Sequence, residues 1–152
     1  MLRHALATLA YRGRRILRGA PPGFEALRIG ERSRTPGQIL AHIGDLFDWA
    51  LWLAQGEHVW HDSAPLPWER EAARFFTSVQ SFDDYLASGA PLGNSPEVLF
   101  QGPVADALTH FGQLAMLRRV AGSPVRGENY FRAEIVAGRV GPEQAEPRRE
   151  FD

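Results

Sequence analysis

The sequence predicts an all-α protein, a four-helix bundle with a partly irregular C-terminal tail. Apolar residues recur at helical spacing in four segments, and each segment is bounded by proline, glycine or a capping residue. No segment shows the period-two alternation that a strand requires. The chain has 152 residues, of which 44% are hydrophobic, so it is long enough to form one compact domain with a buried core.

The first two helical segments have clear boundaries. The first runs from about Leu2 to Arg18 and ends where two prolines and two glycines follow in residues 19–23. A loop continues to Arg34. The second begins with Thr35 as N-cap and Pro36 at the first helical position, and ends at Gly56. Its apolar residues predict one buried face: Ile39, Ile43, Leu46, Phe47, Ala50 and Leu53.

The third segment begins near Pro67 and ends at Ser88–Gly89, and the fourth is predicted from Pro103 to Gly122. We therefore assign residues 1–123 to the bundle and residues 124–152 to the tail. The apolar stretch ENYFRAEIVAG is expected to pack the tail onto the bundle. The last dozen residues, GPEQAEPRREFD, are expected to be solvated and mobile.

Two absent residue types exclude several kinds of chemistry. The chain has no cysteine, and all 17 of its basic residues are arginine. It therefore has no disulfide, no thiolate nucleophile and no lysine for a Schiff base. The formal net charge of −1 does not favour binding to nucleic acid or to anionic membranes. No apolar run is long enough to span a bilayer, so we expect a soluble, cytoplasmic protein.

The stretch EVLFQGP resembles the recognition sequence of a 3C-type viral protease that is used to remove tags. An engineered cleavage site would stand at a terminus, whereas this one falls inside the predicted globular region. Its final Gly102-Pro103 also makes a suitable start for the fourth helix. We interpret the match as a coincidence within a loop.

The strongest functional signal is a possible metal site. Asp106 and His110 are four residues apart, so on a helix they project in directions about 40° apart and can bind one ion. His42 lies on the apolar stripe of the second helix and is expected to point into the bundle. Together they would form a site of two histidines and one carboxylate, with coordination positions left open for water or substrate.

A simpler interpretation of the same residues remains open. His42 could be a neutral core histidine that is hydrogen-bonded to a nearby oxygen. Asp106 could face water in the first turn of its helix, where the dipole favours an acid. His58 and His61, in the polar loop that follows the second helix, are interpreted as surface residues.

The chain resembles the DinB-like family of bacterial four-helix bundles, which is related to the bacillithiol- and mycothiol-dependent S-transferases. The resemblance rests on TPGQILAHIGDLFDWALWL, on HFGQLAMLRR and on GSPVRGENYFRAEI, and it covers most of the chain. Family members present three histidines to a divalent metal. His42 matches the first and His110 the last, while Asp106 stands at the middle position and Gln113 matches the family's glutamine.

The resemblance implies a DinB-like bundle that holds nickel or zinc. It also implies an enzyme that joins a low-molecular-weight thiol to an electrophilic small molecule, with the thiol supplied from outside. Glu128, Asn129 and Tyr130 are predicted to bind substrate if the tail folds over the site, and the alternative is a tail that only covers an apolar seam. No catalytic residue is assigned.

A second interpretation is a non-catalytic bundle that acts as a homodimer or as a small-molecule-binding module. It depends on four tryptophans, which are many for a chain of this length: Trp49, Trp52, Trp60 and Trp68. Core packing explains at least half of them equally well.

Overall fold

The computed structural model describes residues 1–151, and these residues are mostly helical. Asp152, the last residue of the predicted mobile tail, lies outside the described residues. The helices are α1 (Leu2–Leu17), α2 (Pro36–Ala54), α3 (Trp68–Ala87), α4 (Pro96–Leu99) and α5 (Ala105–Val120). A π-helical turn, Phe100–Val104, joins α4 to α5 into one continuous helix, so four long helices form the body of the described chain.

The four long helices pack around a single core. α1 and α2 each pack against both α3 and α5. Aromatic rings fill the centre, with the rings of Phe75 and Phe111 5.0 Å apart and those of Phe47 and Phe75 5.9 Å apart. All six apolar residues predicted for the inner face of α2 are buried. Within residues 1–151, no helix combines the length and apolar character needed to cross a membrane.

Both ends of α2 are closed by specific contacts. Thr35 forms the predicted N-cap, and its hydroxyl accepts from the backbone N of Gln38, whose side chain in turn accepts from the Thr35 backbone. At the other end the backbone N of Gly93 donates to the Ala54 carbonyl at 2.8 Å. A Cβ on Gly93 would stand 2.2 Å from the Cα of Gly56, so only glycine allows these two backbone segments to approach this closely.

The predicted start of the fourth helix is wrong. The helix begins at Pro96, with the Ser95 hydroxyl accepting from the backbone N of Val98, and not at Pro103. Pro103 lies inside the π-helical turn. Proline normally ends or kinks a helix because it lacks an N–H and its ring clashes with a preceding carbonyl, and the wider π turn accommodates it. EVLFQGP is therefore helical, and the predicted loop at this position is also wrong.

The tail forms more structure than its sequence predicted. Gly127–Glu128 (β1) pairs antiparallel with Glu150–Phe151 (β2), whereas no strand was expected. Arg15 of α1 fixes both strands, donating to Glu128 at 2.6 Å and to Glu150 at 2.5 Å. A two-residue strand is too short to show alternation, so periodicity could not reveal it. The mobility of the last dozen residues stays a prediction.

Candidate metal centre

Facing helices bring the three predicted ligands together. His42 projects from α2, while Asp106 and His110 project from α5 one turn apart. The His42 side chain is 18% exposed and that of His110 12% exposed, whereas the Asp106 carboxylate is 47% exposed. The two imidazoles therefore lie in the wall of the bundle and the carboxylate lies at its mouth.

The distances within this cluster fit one metal ion. Nε2 of His42 lies 3.6 Å from Oδ2 of Asp106, and Nε2 of His110 lies 3.4 Å from Oδ1 of the same carboxylate. One donor atom from each of the three residues lies within 4.8 Å of the others. Ligand atoms at about 2.1 Å from a tetrahedral zinc ion are about 3.4 Å apart. The cluster could hold a metal ion with little rearrangement.

Hydrogen bonding alone does not explain this cluster. The contacts of His42 and His110 with the Asp106 carboxylate, at 3.6 and 3.4 Å, are longer than good hydrogen bonds. The two imidazole rings meet edge to face, with centroids 4.8 Å apart. The two imidazoles and the carboxylate meet with only long contacts among them, an arrangement that a shared cation would stabilise.

Gln113 sets the orientation of His110. Its Oε1 lies 2.9 Å from Nδ1 of the imidazole. Because an amide oxygen can only accept, Nδ1 carries the proton and Nε2 presents its lone pair toward Asp106. Such outer hydrogen bonds fix the tautomer and ring position of metal-binding histidines.

Electrostatics favour the neutral form of His42. Burial lowers the pKa of this imidazole, and the nearby His110 and Arg34 lower it further, while the carboxylate of Asp106 acts in the opposite direction. A neutral imidazole is the form that binds a metal. His42 is therefore ready to ligate at neutral pH without first losing a proton.

The loop after α2 covers the His42 side of the cluster. The Trp60 ring lies edge-on to His42, with centroids 5.5 Å apart, and contacts the Trp49 ring at 5.7 Å. His58 packs on Trp49 but is not part of the metal-binding cluster. His58 and His61 are both exposed, which confirms their predicted surface position, but no sequence pattern indicated that the Trp60 ring reaches His42.

Buried acids hold that loop in place. Asp45 accepts from the backbone N of Ser63 at 2.9 Å, and Glu71 accepts from the backbone N of Leu66 at 2.8 Å. Arg74 joins the two acids, at 2.9 Å from Asp45 and 2.6 Å from Glu71. Its guanidinium packs directly over Gly44, where a Cβ would lie 2.6 Å from Nη2. In the sequence, this network is indicated only by two acids, Asp45 and Glu71, at positions on otherwise buried faces of α2 and α3.

A cavity of about 500 Å³ opens beside Asp106. Trp49 forms one wall, the π-helical turn contributes Gln101 and Gly102, and α5 adds Ala105 and Thr109. The cavity is shallow and opens widely to solvent. A larger cavity of about 780 Å³ lies between α1, α3 and the tail, and no candidate metal ligand lines it.

The three predicted substrate-binding residues lie on the tail and contact α1 or the tail itself. The Glu128 carboxylate is buried and accepts from the Tyr11 hydroxyl at 2.8 Å. The Tyr130 ring contacts Tyr11, and the Asn129 side chain accepts from the backbone N of Phe131. The structure does not bring these residues to the histidine cluster, and their role in substrate binding stays a prediction.

Comparison with protein-family models, with curated proteins and with solved structures found no match to this chain. The resemblance to the DinB-like family therefore stays a prediction.

Proposed function

We propose that this protein is a metal-dependent enzyme of DinB-like type that binds one divalent ion through His42, Asp106 and His110. The observation that carries the proposal is the spacing of the three donors, 3.4 and 3.6 Å between each imidazole nitrogen and the nearer carboxylate oxygen. Two nitrogens and one oxygen form a donor set that suits zinc or nickel. Three protein ligands leave coordination positions open, as catalytic sites require.

The resemblance to the DinB-like family favours transfer of an external thiol to an electrophilic small molecule, and a metal site with open coordination positions suits that reaction. A bound divalent ion supplies Lewis acidity, which lowers the pKa of a thiol or water. The protein contributes no thiol of its own, because it has no cysteine. In the transfer the thiol proton goes to solvent, a new S–C bond forms, and the leaving group departs with the electron pair of the bond that breaks.

The protein's own residues would position the reactants. The cavity beside Asp106 offers the electrophile an indole wall at Trp49 and neutral polar groups at Gln101 and Thr109. The Trp60 ring packs edge-on against His42 and restricts the movement of that imidazole. The exposed edge of Asp106 faces the cavity, so the thiol and the electrophile would meet there.

Metal binding is tested first, on protein without a histidine tag. Elemental analysis of the wild type should give about one equivalent of a divalent ion, and a His42→Ala, His110→Ala variant should lose it. His61→Ala is the matched control, because His61 is exposed and lies outside the cluster. Equal, sub-stoichiometric metal in the wild type and the double variant would exclude the site.

Transfer activity needs a separate assay. The metal-loaded protein is incubated with bacillithiol or mycothiol and a chloronitroaromatic electrophile, and the thioether product is quantified. We expect conjugation above the uncatalysed rate, and its loss in His42→Ala. Metal binding without any metal-dependent conjugation would remove the transferase proposal and leave the metal site intact.

The homodimer remains a prediction. Of the four tryptophans on which it depended, Trp68 is buried and its Nε1 donates to the Leu17 carbonyl at 3.1 Å. Trp49 packs against Trp60 beside the candidate metal centre. These three residues have roles within one chain, which weakens the argument for a tryptophan-lined interface.

A further inference from the structure

A separate cavity of about 510 Å³ lies between α1, α5 and the tail. Its floor is apolar and is formed by Leu9, Ile16, Leu108, Phe111 and Ala115. None of the three candidate metal ligands lines it, because His110 faces α2 while the neighbouring Phe111 turns toward α1. The size and the apolar floor are those of a small-molecule site.

Two arginines on the rim of this cavity are available to a ligand. Arg12 of α1 and Arg119 of α5 are exposed and line it from opposite sides. Arg12 stacks over the Tyr130 ring at 4.3 Å. Within residues 1–151, neither guanidinium makes a hydrogen bond or an ion pair. Each therefore retains donors that can pair with a carboxylate.

The acids near the cavity are already compensated. Glu128 accepts from Tyr11 and from Arg15, and Glu150 accepts from Arg15 and Arg126. Burial raises the pKa of Tyr11, so its hydroxyl remains a donor to Glu128 throughout the physiological range. The charges of Arg12 and Arg119 are consequently not cancelled by these carboxylates, and the cavity favours anions.

We propose that this cavity binds a small amphipathic anion, namely an aliphatic or aromatic molecule that carries one carboxylate. The apolar body would lie on the floor formed by α1 and α5, and the carboxylate would pair with Arg119, with the charge of Arg12 adding to the attraction. This site is independent of the metal centre. It also gives Tyr130 a role as a wall, held in place by Arg12 on one face and contacting Tyr11.

Calorimetric titration of the metal-free protein in EDTA tests the proposal. The probes are decanoate and decylammonium, which share an apolar chain and carry opposite charges, both kept below their micellar concentrations. We expect saturable binding of decanoate and much weaker binding of decylammonium. Arg119→Gln should weaken decanoate binding by roughly threefold to tenfold, the loss expected for a partly exposed charge pair.

Two further variants locate the binding. Gly112 lines the cavity and a Cβ there meets no atom within 4 Å, so Gly112→Leu should fill the space while favouring the helix, and decanoate binding should be lost with helical content unchanged. Arg18→Gln is the control, because Arg18 lines the other cavity between α1 and α3. The proposal is overturned if decanoate binds Arg119→Gln and Gly112→Leu as it binds the wild type, if only Arg18→Gln weakens it, or if decylammonium binds equally well.

Discussion

Gln113 and His110 are joined by a hydrogen bond of 2.9 Å, one helical turn apart on the face of α5 that meets α2. This bond fixes which imidazole nitrogen faces Asp106. Gln113 is therefore a positioning residue for the candidate metal centre, because its side chain contacts the proposed ligand His110 and would not contact the ion itself.

Replacing Gln113 should weaken metal binding without unfolding the protein. Gln113→Ala frees the imidazole to rotate and to change tautomer, and outer-shell losses of this kind cost about tenfold to 100-fold in affinity. Gln113→Glu keeps an acceptor at the same position and should restore most of the affinity. Competition with a chromophoric chelator measures both. Gln80→Ala, on the exposed part of α3, should bind metal as the wild type does.

Metal affinity should fall as the pH falls, because protons compete with the ion for the His42 imidazole. Burial lowers the pKa of His42 below its usual value, so this ligand stays neutral to a lower pH than an ordinary histidine does. The affinity should therefore hold at and above neutral pH and decline as the pH falls through the lowered pKa of His42. Titrations across this range that show no loss of affinity at acid pH would contradict histidine ligation.

The same lowered pKa affects folding in the absence of metal. The unfolded chain binds a proton at His42 more readily than the folded chain does, so the stability linked to neutral His42 is present above its ordinary pKa. That stability is lost as the pH falls through the lower folded pKa. Denaturation in EDTA should show wild-type stability decreasing with acid more steeply than that of His42→Gln.

Arg74 should be essential for stability and for the position of Trp60. Arg74→Met leaves the buried carboxylates of Asp45 and Glu71 without their cation, a loss of about 3 kcal/mol of unfolding free energy. Both acids also anchor the loop that carries Trp60. The Trp60 side chain should therefore become more exposed to solvent, and the tryptophan emission should shift to longer wavelength. Arg70→Met is the control on the exposed side of the same helix, and it should change neither measurement.

Gly93→Ala should destabilise the fold strongly. The added Cβ would meet the Cα of Gly56 at 2.2 Å and its N at 2.3 Å, so backbone must move and the hydrogen bond to Ala54 must lengthen. We expect a loss of about 3 kcal/mol in denaturant unfolding, at the upper end for overpacking. Gly30→Ala places a methyl group where no atom lies within 4 Å, and stability should stay close to that of the wild type.

The EVLFQGP stretch should resist the 3C-type protease in the folded protein. Residues 97–103 are helical, and Leu99 and Pro103 are buried, whereas proteases bind an extended chain. Cleavage should be rapid in a synthetic peptide of this segment and slow in the native protein. Equally rapid cleavage of both would show that the helix opens at this position.

Spacing and capping predicted most of the helical fold. Thr35 with Pro36 marked the start of α2 correctly because capping depends on local sequence. The fourth helix was misplaced because Pro103 and Gly102 normally act as breakers, and only packing of the surrounding helices makes a π turn acceptable there. The pairing of β1 with β2 joins residues far apart in sequence, which no local pattern reports.

The metal cluster could be predicted, but its surroundings could not. Helical spacing placed Asp106 and His110 on one face, and the apolar stripe placed His42 opposite them. The contact of Trp60 with His42 depends instead on a loop anchored through Asp45 and Glu71, and sequence spacing carries no information about where such a loop folds. The tail residues Glu128 and Tyr130 were singled out by composition, and packing directed them to α1.

The π-helical turn makes the site sensitive to chain length. A π turn is equivalent to one extra residue in an α-helix, and each residue rotates the following helix by about 100°. Deleting one residue from Phe100–Val104 would allow regular winding, yet it would swing Asp106 and His110 away from α2 or force Leu99 out of the core. Homologues that share this site are therefore expected to conserve the number of residues between the Ser95 cap and Asp106, even where the residues themselves differ.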